Sequence, residues 1–362
     1  MVALLLIGGA IWYLQAQKPD RSAGAFSGSA DIVAETASEK TGKYERAKEI
    51  VAPAGFVNAE PFELKEIIGK KVILVDFWTY SCINCQRTFP YLNAWYEKYK
   101  DKGLEIVGVH TPEFAFEEKI ENVRKAVAKF NIAHPVVLDN DYGTWQAYGN
   151  QYWPRKYLID IDGYIVYDHI GEGGYEETER VIQELLVERA VRLGVDLGGV
   201  DMNVVRPADA ETVDVTMPRS PEIYFGAFRN SRLGNGNAGL LGGQRLEEPA
   251  NIERDMLYLV GPWNFYEEYA ENAAAGAKIV FRYRAEKVFM VASAEGGVRI
   301  RILQDGKPVG AAAGSDVGED GTLNVSDEQL YRLIENPDGY GEHTLEIFIE
   351  GPALRAFTFT FG

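Results

Sequence analysis

The sequence predicts two domains, an α/β sandwich followed by an all-β sandwich of the jelly-roll kind. Segments with strand and helix patterns alternate between residues 53 and 193, which is typical of a layered α/β domain. Short alternating segments punctuated by glycine and proline fill residues 220–362, as in β-sandwich domains. A chain of 362 residues is also too long for one ordinary hydrophobic core and suits two domains.

The first fifteen residues, 1–15, are predicted to be a membrane anchor or a signal segment. Residues 2–14 (VALLLIGGAIWYL) are apolar apart from their glycines, but a helix that spans a membrane needs roughly 20 apolar residues. No lysine or arginine precedes this run, whereas Trp12 and Tyr13 would suit the interface of a membrane anchor. A buried N-terminal helix and the tail of a longer membrane protein are the alternatives.

Two linkers are predicted from composition. Residues 16–52 are rich in serine, alanine, glycine and charged side chains, which is typical of a flexible tether, and they include a short helix at 44–50. A second linker, rich in glycine and valine, occupies residues 194–219 and separates the two domains.

The α/β domain is predicted to surround one buried strand. Residues 71–78 (KVILVDFW) form a nearly continuous apolar run, which indicates a strand covered on both faces. Asp162 and Gly163 supply a hairpin turn between the last two strands. The other predicted elements are helices at 62–68, 82–100, 116–130 and 176–192 and strands at 104–110, 135–138, 156–161 and 164–169.

The second domain is predicted to contain a cluster of aromatic side chains beside its strands. The segment GPWNFYEEY carries four rings that could stack on a sugar or on an extended peptide, namely Trp263, Phe265, Tyr266 and Tyr269. Packing of these rings inside the sandwich is the alternative. The predicted strands are 278–284, 288–292, 298–303, 344–350 and 356–361.

Charge and cysteine content exclude several classes of function. Acidic side chains outnumber basic ones by 54 to 37, and the resulting net charge of −17 repels nucleic acid. No glycine-rich phosphate loop stands between a strand and a helix, which argues against nucleotide chemistry. Only two cysteines occur and the four histidines are scattered, so no metal site is expected. The expected redox group is the disulfide Cys82–Cys85, with no other cofactor.

The two cysteines form a C-x-x-C motif that follows a predicted strand directly and opens a predicted helix. Unpaired N–H groups and the helix dipole stabilise a thiolate at this position, which makes Cys82 the candidate nucleophile. Cys85, one turn further on, is the natural resolving thiol. Arg87 either favours the thiolate or faces water. Two inert buried cysteines, or half of a metal site, are the alternatives for an isolated C-x-x-C.

The segment VDFWTYSCINC resembles the active site of the thioredoxin superfamily, which implies a thioredoxin-like fold for the first domain. By this resemblance Asp76, six residues before Cys82, is the buried acid that assists proton transfer to the resolving thiol. Pro90 would kink the active-site helix, and Trp153–Pro154 would form the cis-proline loop that faces the disulfide and contacts substrate. A structural acid and an ordinary trans proline are the alternatives.

A longer resemblance indicates one branch of this superfamily. The elements inserted between residues 110 and 145 resemble the redoxin, or TlpA-like, branch, and the motifs WTYSCINC, GVHTPEFAFE, YWPRKYLID and SPEIYFGAFR resemble the extracytoplasmic part of DipZ-type proteins. The resemblance implies protein dithiol or disulfide substrates and a membrane-anchored, extracytoplasmic location. It also implies a membrane electron-donor protein or domain, and a carbohydrate-binding-module-like second domain with a sugar or peptide ligand.

Aromatic residues near the dithiol are candidates for holding substrate. Trp78, Tyr80 and Trp153 could form an apolar surface that binds polypeptide, although plain core packing is the alternative. His110 and Glu113, at the end of a predicted strand, could tune proton transfer or simply lie in a solvated loop.

Together these features favour an extracytoplasmic enzyme that exchanges disulfides with protein substrates, with a slight preference for the reducing direction. A thiol peroxidase of the redoxin type is one alternative, since Thr79 stands three residues before Cys82, but Val75 replaces the proline of that motif. A non-enzymatic binding protein, such as a metallochaperone, is the other alternative. Copper chaperones of similar fold use C-x-x-x-C with a histidine, and the spacing here is shorter.

Overall fold

The computed structural model describes residues 37–211, 213 and 216–362. The predicted anchor or signal segment and the first part of the predicted tether lie outside these residues. No helix in the described ranges combines the length and apolarity that a membrane crossing requires.

The first domain is built on a seven-stranded sheet with the order β1-β7-β6-β3-β4-β5-β2. Its strands are β1 (Glu45–Arg46), β2 (Gly55–Val57), β3 (Val72–Trp78), β4 (Leu104–His110), β5 (Val136–Leu138), β6 (Arg155–Ile159) and β7 (Tyr164–Ile170). β3, β4 and β5 run parallel, whereas β6 and β7 form an antiparallel hairpin beside β3. The predicted α/β sandwich is confirmed.

Five α-helices accompany this sheet in the described residues: α1 (Ala37–Lys40), α2 (Ile83–Tyr99), α3 (Ile120–Lys129), α4 (Gly143–Ala147) and α5 (Tyr175–Leu193). Short 3-10 turns lie at Leu64–Glu66, Lys100–Lys102 and Ala115–Glu118. The predicted active-site helix and closing helix correspond to α2 and α5.

β3 is the strand that positions the candidate site. All seven of its residues are buried, and it pairs with β4 on one side and β6 on the other. A strand that lies inside a sheet covered on both faces buries both sets of its alternating side chains, which explains the continuous apolar run in the sequence. The prediction of a buried central strand is therefore confirmed.

One predicted helix is divided in the structure. The sequence pattern predicts a helix over 116–130, but a 3-10 turn and α3 are separated there by Lys119, whose backbone is extended (φ −74°, ψ 114°). The side chain of Glu117 turns back to accept a hydrogen bond from the backbone N–H of Glu113 at 2.7 Å. The amphipathic spacing of the sequence does not reveal this break. The break accompanies the hydrogen bond between the buried Glu117 carboxylate and the Glu113 backbone, which the spacing does not encode.

The prediction that residues 16–52 form a flexible tether is wrong for the described part, residues 37–52. β1 lies within this part and pairs with β7, where the sequence predicted a short helix. Lys40 is 3% exposed, and its ammonium group contacts the carboxylates of Asp160, at 2.7 Å, and Glu188. The residues that bind this segment, in β7 and at Asp160 and Glu188, are distant from it in the sequence. Its local composition therefore indicated a tether.

The second domain is all-β, as predicted, and its strands pair antiparallel in the order β15-β14-β18-β12-β10-β11-β19-β13-β17, with β16, β8 and β9 pairing with β14, β19 and β10. β10 pairs with β12 along its first half and with β9 and β11 along its second half. It therefore connects two sets of paired strands, and the side chains that these strands bury form one core. The strands are β8 (Ile223–Tyr224), β9 (Gly242–Leu246), β10 (Leu257–Phe265), β11 (Ala270–Asn272), β12 (Ala277–Ala285), β13 (Lys287–Ser293), β14 (Val298–Gln304), β15 (Lys307–Pro308), β16 (Thr322–Val325), β17 (Gln329–Glu335), β18 (Gly341–Ile349) and β19 (Arg355–Phe361).

The two domains share an apolar contact beside the loop that follows β4. The ring of Phe357, on β19, lies 4.8 Å from that of Phe116 and 5.2 Å from that of Phe114. Phe289 and Leu330 of the second domain belong to the same buried cluster as the core of the first domain. The second domain therefore packs against the side of the first domain that carries the C-x-x-C loop.

Candidate active site at the dithiol

The dithiol lies where β3 ends and α2 begins. β3 ends at Trp78, and Cys82 occupies the extended N-cap position of α2 (φ −81°, ψ 118°). Cys82 is partly exposed, whereas Cys85, in the first helical turn, is fully buried. Pro90 lies inside the same helix. Of the two thiols, that of Cys82 is the one open to a partner molecule, and it stands at a helix N-terminus that favours negative charge.

Cys85 is held in its protonated form. Burial raises the pKa of the Cys85 thiol well above its usual range, and a hydrogen bond with Cys82 and the negative charge of Asp76 raise it further. A buried thiol of this kind becomes a nucleophile only when a nearby base removes its proton.

Asp76 is the base candidate that the sequence indicated. It is 1% exposed on β3, and neither carboxylate oxygen has a hydrogen-bond partner in the described part of the chain. Burial raises the pKa of Asp76 to about 7, an effect that the nearby ammonium of Lys156 opposes. A carboxyl group with this pKa exchanges its proton readily near neutral pH.

Lys156 is a candidate site residue that the sequence analysis missed. It lies on β6 directly opposite Asp76 and is fully buried. Its ammonium donates a hydrogen bond to the backbone carbonyl of Gly171 at 3.1 Å and lies 5.6 Å from the centre of the Tyr175 ring. Burial lowers the pKa of Lys156, while Asp76 opposes that change. A lysine two residues after the predicted cis-proline, inside an apolar strand, was the available signal.

Trp78 and Tyr80 are core residues, which corrects the prediction that they form an exposed substrate surface. Trp78 is 1% exposed and its ring lies 5.1 Å from that of Phe89. A side chain at Gly108 would come within 2.7 Å of the indole nitrogen, so glycine is required there. The Tyr80 hydroxyl donates to the backbone carbonyl of Glu328 in the second domain at 3.2 Å. These rings are covered because tertiary packing buries their apolar area.

Trp153 keeps part of its surface exposed. The Trp153–Pro154 peptide bond is cis, as the resemblance implied. The Trp153 indole donates a hydrogen bond to the carbonyl of Thr111 at 3.0 Å, and its ring lies 4.3 Å from that of Trp145. Trp153 and Cys82 both pack against the same buried cluster.

Glu117 is a second buried residue that the sequence analysis missed. Its Oε1 atom accepts hydrogen bonds from the backbone N–H and the hydroxyl of Ser81, at 3.1 and 2.7 Å. Its Oε2 atom accepts from the backbone N–H groups of Glu113 and Phe114, at 2.7 and 3.1 Å. Ser81 directly precedes Cys82, so this carboxylate holds the turn that carries the exposed thiol.

Glu113 connects this turn to the second domain. Its Oε1 atom accepts hydrogen bonds from Arg229 at 2.7 Å and from the Tyr224 hydroxyl at 3.0 Å. The Arg229 guanidinium also lies 3.5 Å from the centre of the Tyr224 ring. Burial raises the pKa of Glu113 to about 7, and the charge of Arg229 opposes that rise.

His110 and Arg87 occupy surroundings different from the solvated positions considered for them. His110 is fully buried, and neither of its ring nitrogens has a hydrogen-bond partner among the described residues. Burial lowers the pKa of His110 to about 3, so the ring is neutral at physiological pH. The buried guanidinium of Arg87 pairs with Glu172 at 3.5 Å and with Glu211, in the second linker, at 3.4 Å.

The four aromatic rings considered for a stacking platform separate into two groups. Trp263 and Phe265 are 1% and 2% exposed and belong to the core of the sandwich, which agrees with the core-packing alternative for them. Tyr266 is exposed, and its ring stacks on that of Tyr269 with 4.6 Å between the centres. The alternation of inward and outward positions along β10 puts the first two rings on the core face.

One group of acidic side chains in the described residues is close enough to hold a metal ion: Asp160, Asp162 and Glu188. In the structure these carboxylates surround the ammonium of Lys40 instead. A cation of the chain itself therefore balances their charge.

Two protein families match separate parts of the chain. The family described as Redoxin matches residues 45–186, and the family described as Thioredoxin like C-terminal domain matches residues 220–362. These ranges correspond to the α/β domain and to the all-β domain.

Curated relatives match one or both of these parts. Protein DipZ of Mycobacterium tuberculosis is 35% identical over 322 residues, which cover 87% of this chain and 43% of DipZ. The thiol-disulfide oxidoreductase ResA of Bacillus thuringiensis is 33% identical over 129 residues, covering 36% of this chain and 71% of ResA. The thiol-disulfide oxidoreductase YkuV of Bacillus subtilis is 28% identical over 140 residues, covering 39% of this chain and 93% of YkuV. The chain spans less than half the length of DipZ.

Proposed function

The chain belongs to the thioredoxin superfamily, and from this premise we propose that it is an oxidoreductase that exchanges disulfides with protein substrates through Cys82 and Cys85. The observation that carries the proposal is the pairing of a partly exposed thiol at a helix N-terminus with a buried thiol next to Asp76. The Cys82 thiol is accessible to a substrate, and the buried Cys85 thiol has the Asp76 carboxyl group near it as a base.

In the reducing direction the thiolate of Cys82 attacks one sulfur of a substrate disulfide. A bond forms between the Cys82 sulfur and that substrate sulfur while the substrate disulfide breaks. The second substrate sulfur leaves as a thiolate and takes up a proton. The exposed position of Cys82 supports this role, because a mixed disulfide needs room for a polypeptide.

Cys85 then resolves the mixed disulfide. Its proton passes to the Asp76 carboxylate, and the Cys85 thiolate attacks the Cys82 sulfur. The Cys82–Cys85 bond forms, the bond to the substrate breaks, and the substrate leaves as a dithiol after taking up a second proton. The raised pKa of Asp76, about 7, supports this transfer because its proton exchange is centred near neutral pH.

The cycle transfers two electrons to the substrate and leaves Cys82–Cys85 as a disulfide. A donor of two electrons must reduce that disulfide before the next turnover. We propose a separate dithiol protein, or a membrane domain outside this chain, as the donor. The resemblance of this chain to the extracytoplasmic part of DipZ-type proteins supports a donor of this kind.

The proposed location is extracytoplasmic and membrane-anchored. The apolar run at residues 2–14 and the resemblance to the extracytoplasmic part of DipZ-type proteins support this. Labelling of the thiols in intact cells by a membrane-impermeant maleimide tests it, because a cytoplasmic dithiol would be labelled only after lysis.

The proposed role of the second domain is recognition of a sugar or peptide partner. The exposed ring of Tyr266, stacked on Tyr269, supports such a role because a planar aromatic pair binds flat apolar faces. Soluble oligosaccharides and extended peptides, each titrated against the parent chain and Tyr266→Ala, would test this proposal. Binding that is unchanged by the substitution would contradict it.

The exchange reaction is tested by turnover of the full chain with insulin as disulfide substrate and dithiothreitol as donor. Cys82→Ser is expected to abolish catalysis, whereas Cys85→Ser is expected to accumulate a mixed disulfide that is visible by mass. Exchange at the parental rate by Cys82→Ser would overturn the proposed function. Thr79→Ser, a buried but non-redox change in the same loop, serves as the matched control for disturbance of the loop.

A further inference from the structure

We propose that Glu117 is the positioning residue of the turn that carries Cys82, and that the second domain acts on the dithiol through it. The inference rests on the proposed function, because it concerns the reactivity of the same thiols. It assigns a role to a side chain that lies outside the C-x-x-C motif and outside the cis-proline loop.

The hydrogen bonds of Glu117 are the first observation. Its carboxylate accepts four, two from Ser81 and two from the backbone at residues 113–114, and the side chain is fully buried. In the described part of the chain no cationic side chain pairs with it. Both oxygens already accept two donors each, so adding a proton would displace a donor. Burial raises the pKa of Glu117, and the hydrogen-bond donors around it oppose that rise. With both oxygens saturated by neutral donors, the geometry favours the carboxylate form.

The position of this charge affects the exposed thiol. Ser81 is bonded through both its backbone and its side chain, so the residue before Cys82 has a fixed orientation. A fixed negative charge in a buried environment also disfavours a second negative charge nearby. The disulfide form carries no charge, whereas the reduced form reacts through the Cys82 thiolate, so Glu117 disfavours this thiolate-bearing reduced form relative to the disulfide. A dithiol destabilised in this way is a stronger reductant.

The contacts of Glu113 are the second observation. Its backbone N–H is held by Glu117, while its carboxylate is held by Arg229 and Tyr224 of the second domain. The segment from residue 113 to residue 117 is thus fixed at the dithiol turn and at the second domain. Any displacement of Arg229 is transmitted to the donors of Glu117, because the two contacts share one residue.

Three substitutions in the full chain test the inference. Glu117→Gln removes the negative charge and turns an amide donor toward backbone N–H groups. Ser81→Ala removes the hydroxyl, one of the four donors to Glu117. Arg229→Met removes the ion pair between the second domain and Glu113. Glu118→Gln and Arg245→Met are exposed, matched controls. The readouts are the equilibrium with a glutathione redox buffer and the rate of insulin reduction.

Glu117→Gln is expected to shift the equilibrium constant about tenfold toward the dithiol, which corresponds to about 30 mV for a two-electron couple. It is also expected to slow exchange by about tenfold, as an order-of-magnitude estimate for a lost positioning contact. Ser81→Ala keeps the charge and is expected to slow exchange about threefold with little change in the equilibrium. Because Ser81→Ala is a small change, it decides the positioning role even if Glu117→Gln does not fold.

Arg229→Met is expected to slow disulfide exchange in the parent chain. In a chain that already carries Glu117→Gln it is expected to cause no further slowing, because the effects of coupled substitutions do not add. Equal slowing in both backgrounds would overturn the link to the second domain. Identical behaviour of Glu117→Gln and Glu118→Gln would overturn the positioning role while leaving the proposed function intact. A parent chain that forms no disulfide at any glutathione ratio would overturn the proposed function, and this inference with it.

Discussion

Asp76 and Lys156 lie directly opposite each other on β3 and β6, and both are fully buried beside Cys85. No hydrogen bond joins them among the described contacts, since both Asp76 oxygens are without partners. The lysine therefore acts on the carboxyl group through its charge alone. It limits how far burial raises the pKa of Asp76, and so keeps the acid able to exchange its proton near pH 7.

The first prediction concerns Asp76→Asn and stability. The folded-state pKa of Asp76, about 7, exceeds its usual value of 3.8, so the folded protein binds this proton more tightly than the unfolded chain. The resulting stabilisation is full below about pH 4 and is lost as the pH rises through 7. Asp76→Asn is therefore expected to raise the free energy of unfolding at pH 8 by up to about 4 kcal/mol. Urea titrations at pH 5 and pH 8 measure this difference.

The exposed residue Asp141 supplies the control, since Asp141→Asn is the same chemical change at a position outside the buried site. The same Asp76→Asn chain should resolve mixed disulfides slowly and accumulate them at neutral pH. A variant with parental pH dependence and parental turnover would contradict the proton-acceptor role of Asp76.

The second prediction concerns Lys156→Met, which keeps the length of the side chain and removes its charge. The pKa of Asp76 should then rise above 7, because burial is no longer opposed by the ammonium group. The pH at which turnover is half-maximal should move upward by about one unit. Lys70→Met, at an exposed position, is the control. An unchanged pH profile in Lys156→Met would show that the lysine does not act on the carboxyl group.

The third prediction concerns the direction of exchange. Two buried carboxylates, Asp76 near Cys85 and Glu117 bonded to Ser81, disfavour a thiolate in the reduced form, so the chain should favour the disulfide and act as a reductant. Equilibration of the full chain with dithiothreitol or glutathione is expected to give a reduction potential near the thioredoxin value of about −270 mV. A potential near about −120 mV would instead indicate a disulfide donor.

The fourth prediction concerns Arg87, which joins α2 to the second linker. Its guanidinium is 2% exposed and pairs with Glu172 and Glu211. Arg87→Met is expected to lower the free energy of unfolding by about 2 kcal/mol, because the partly buried Glu172 loses its cation while Glu211 keeps Arg332 and Lys287. Arg180→Met breaks an exposed pair on α5 and is expected to cost less than about 0.5 kcal/mol. Similar costs for both substitutions, measured by urea unfolding, would contradict this account.

The fifth prediction separates the core rings of the second domain from its exposed rings. Trp263→Ala is expected to cost about 3–5 kcal/mol of unfolding free energy, because it opens a cavity in the sandwich core. Tyr266→Ala is expected to cost no more than about 1 kcal/mol, since it loses one exposed stacked pair. Calorimetry of the two variants measures both values, and the reverse order would contradict the burial pattern of β10.

Local sequence patterns were sufficient to predict the two domains, the buried strand β3 and the dithiol at the start of a helix. A continuous run of apolar residues indicates a strand that is buried on both faces. A C-x-x-C motif directly after such a run indicates a strand-to-helix turn. Both features depend on residues that are neighbours in the chain. The resemblance further placed Asp76 in the site and Pro154 in a cis peptide bond.

Only the tertiary structure decided which side chains act on those thiols. Lys156 reaches Asp76, Glu117 reaches Ser81 and Arg229 reaches Glu113 across strands, loops and domains that are far apart in the chain. The same packing buried Trp78 and Tyr80, for which the sequence left substrate binding and core packing open, and attached residues 37–52 to the first domain. The burial of a side chain and the charges near it depend on the residues that surround it in space. A sequence pattern reveals those residues only when they are also neighbours along the chain.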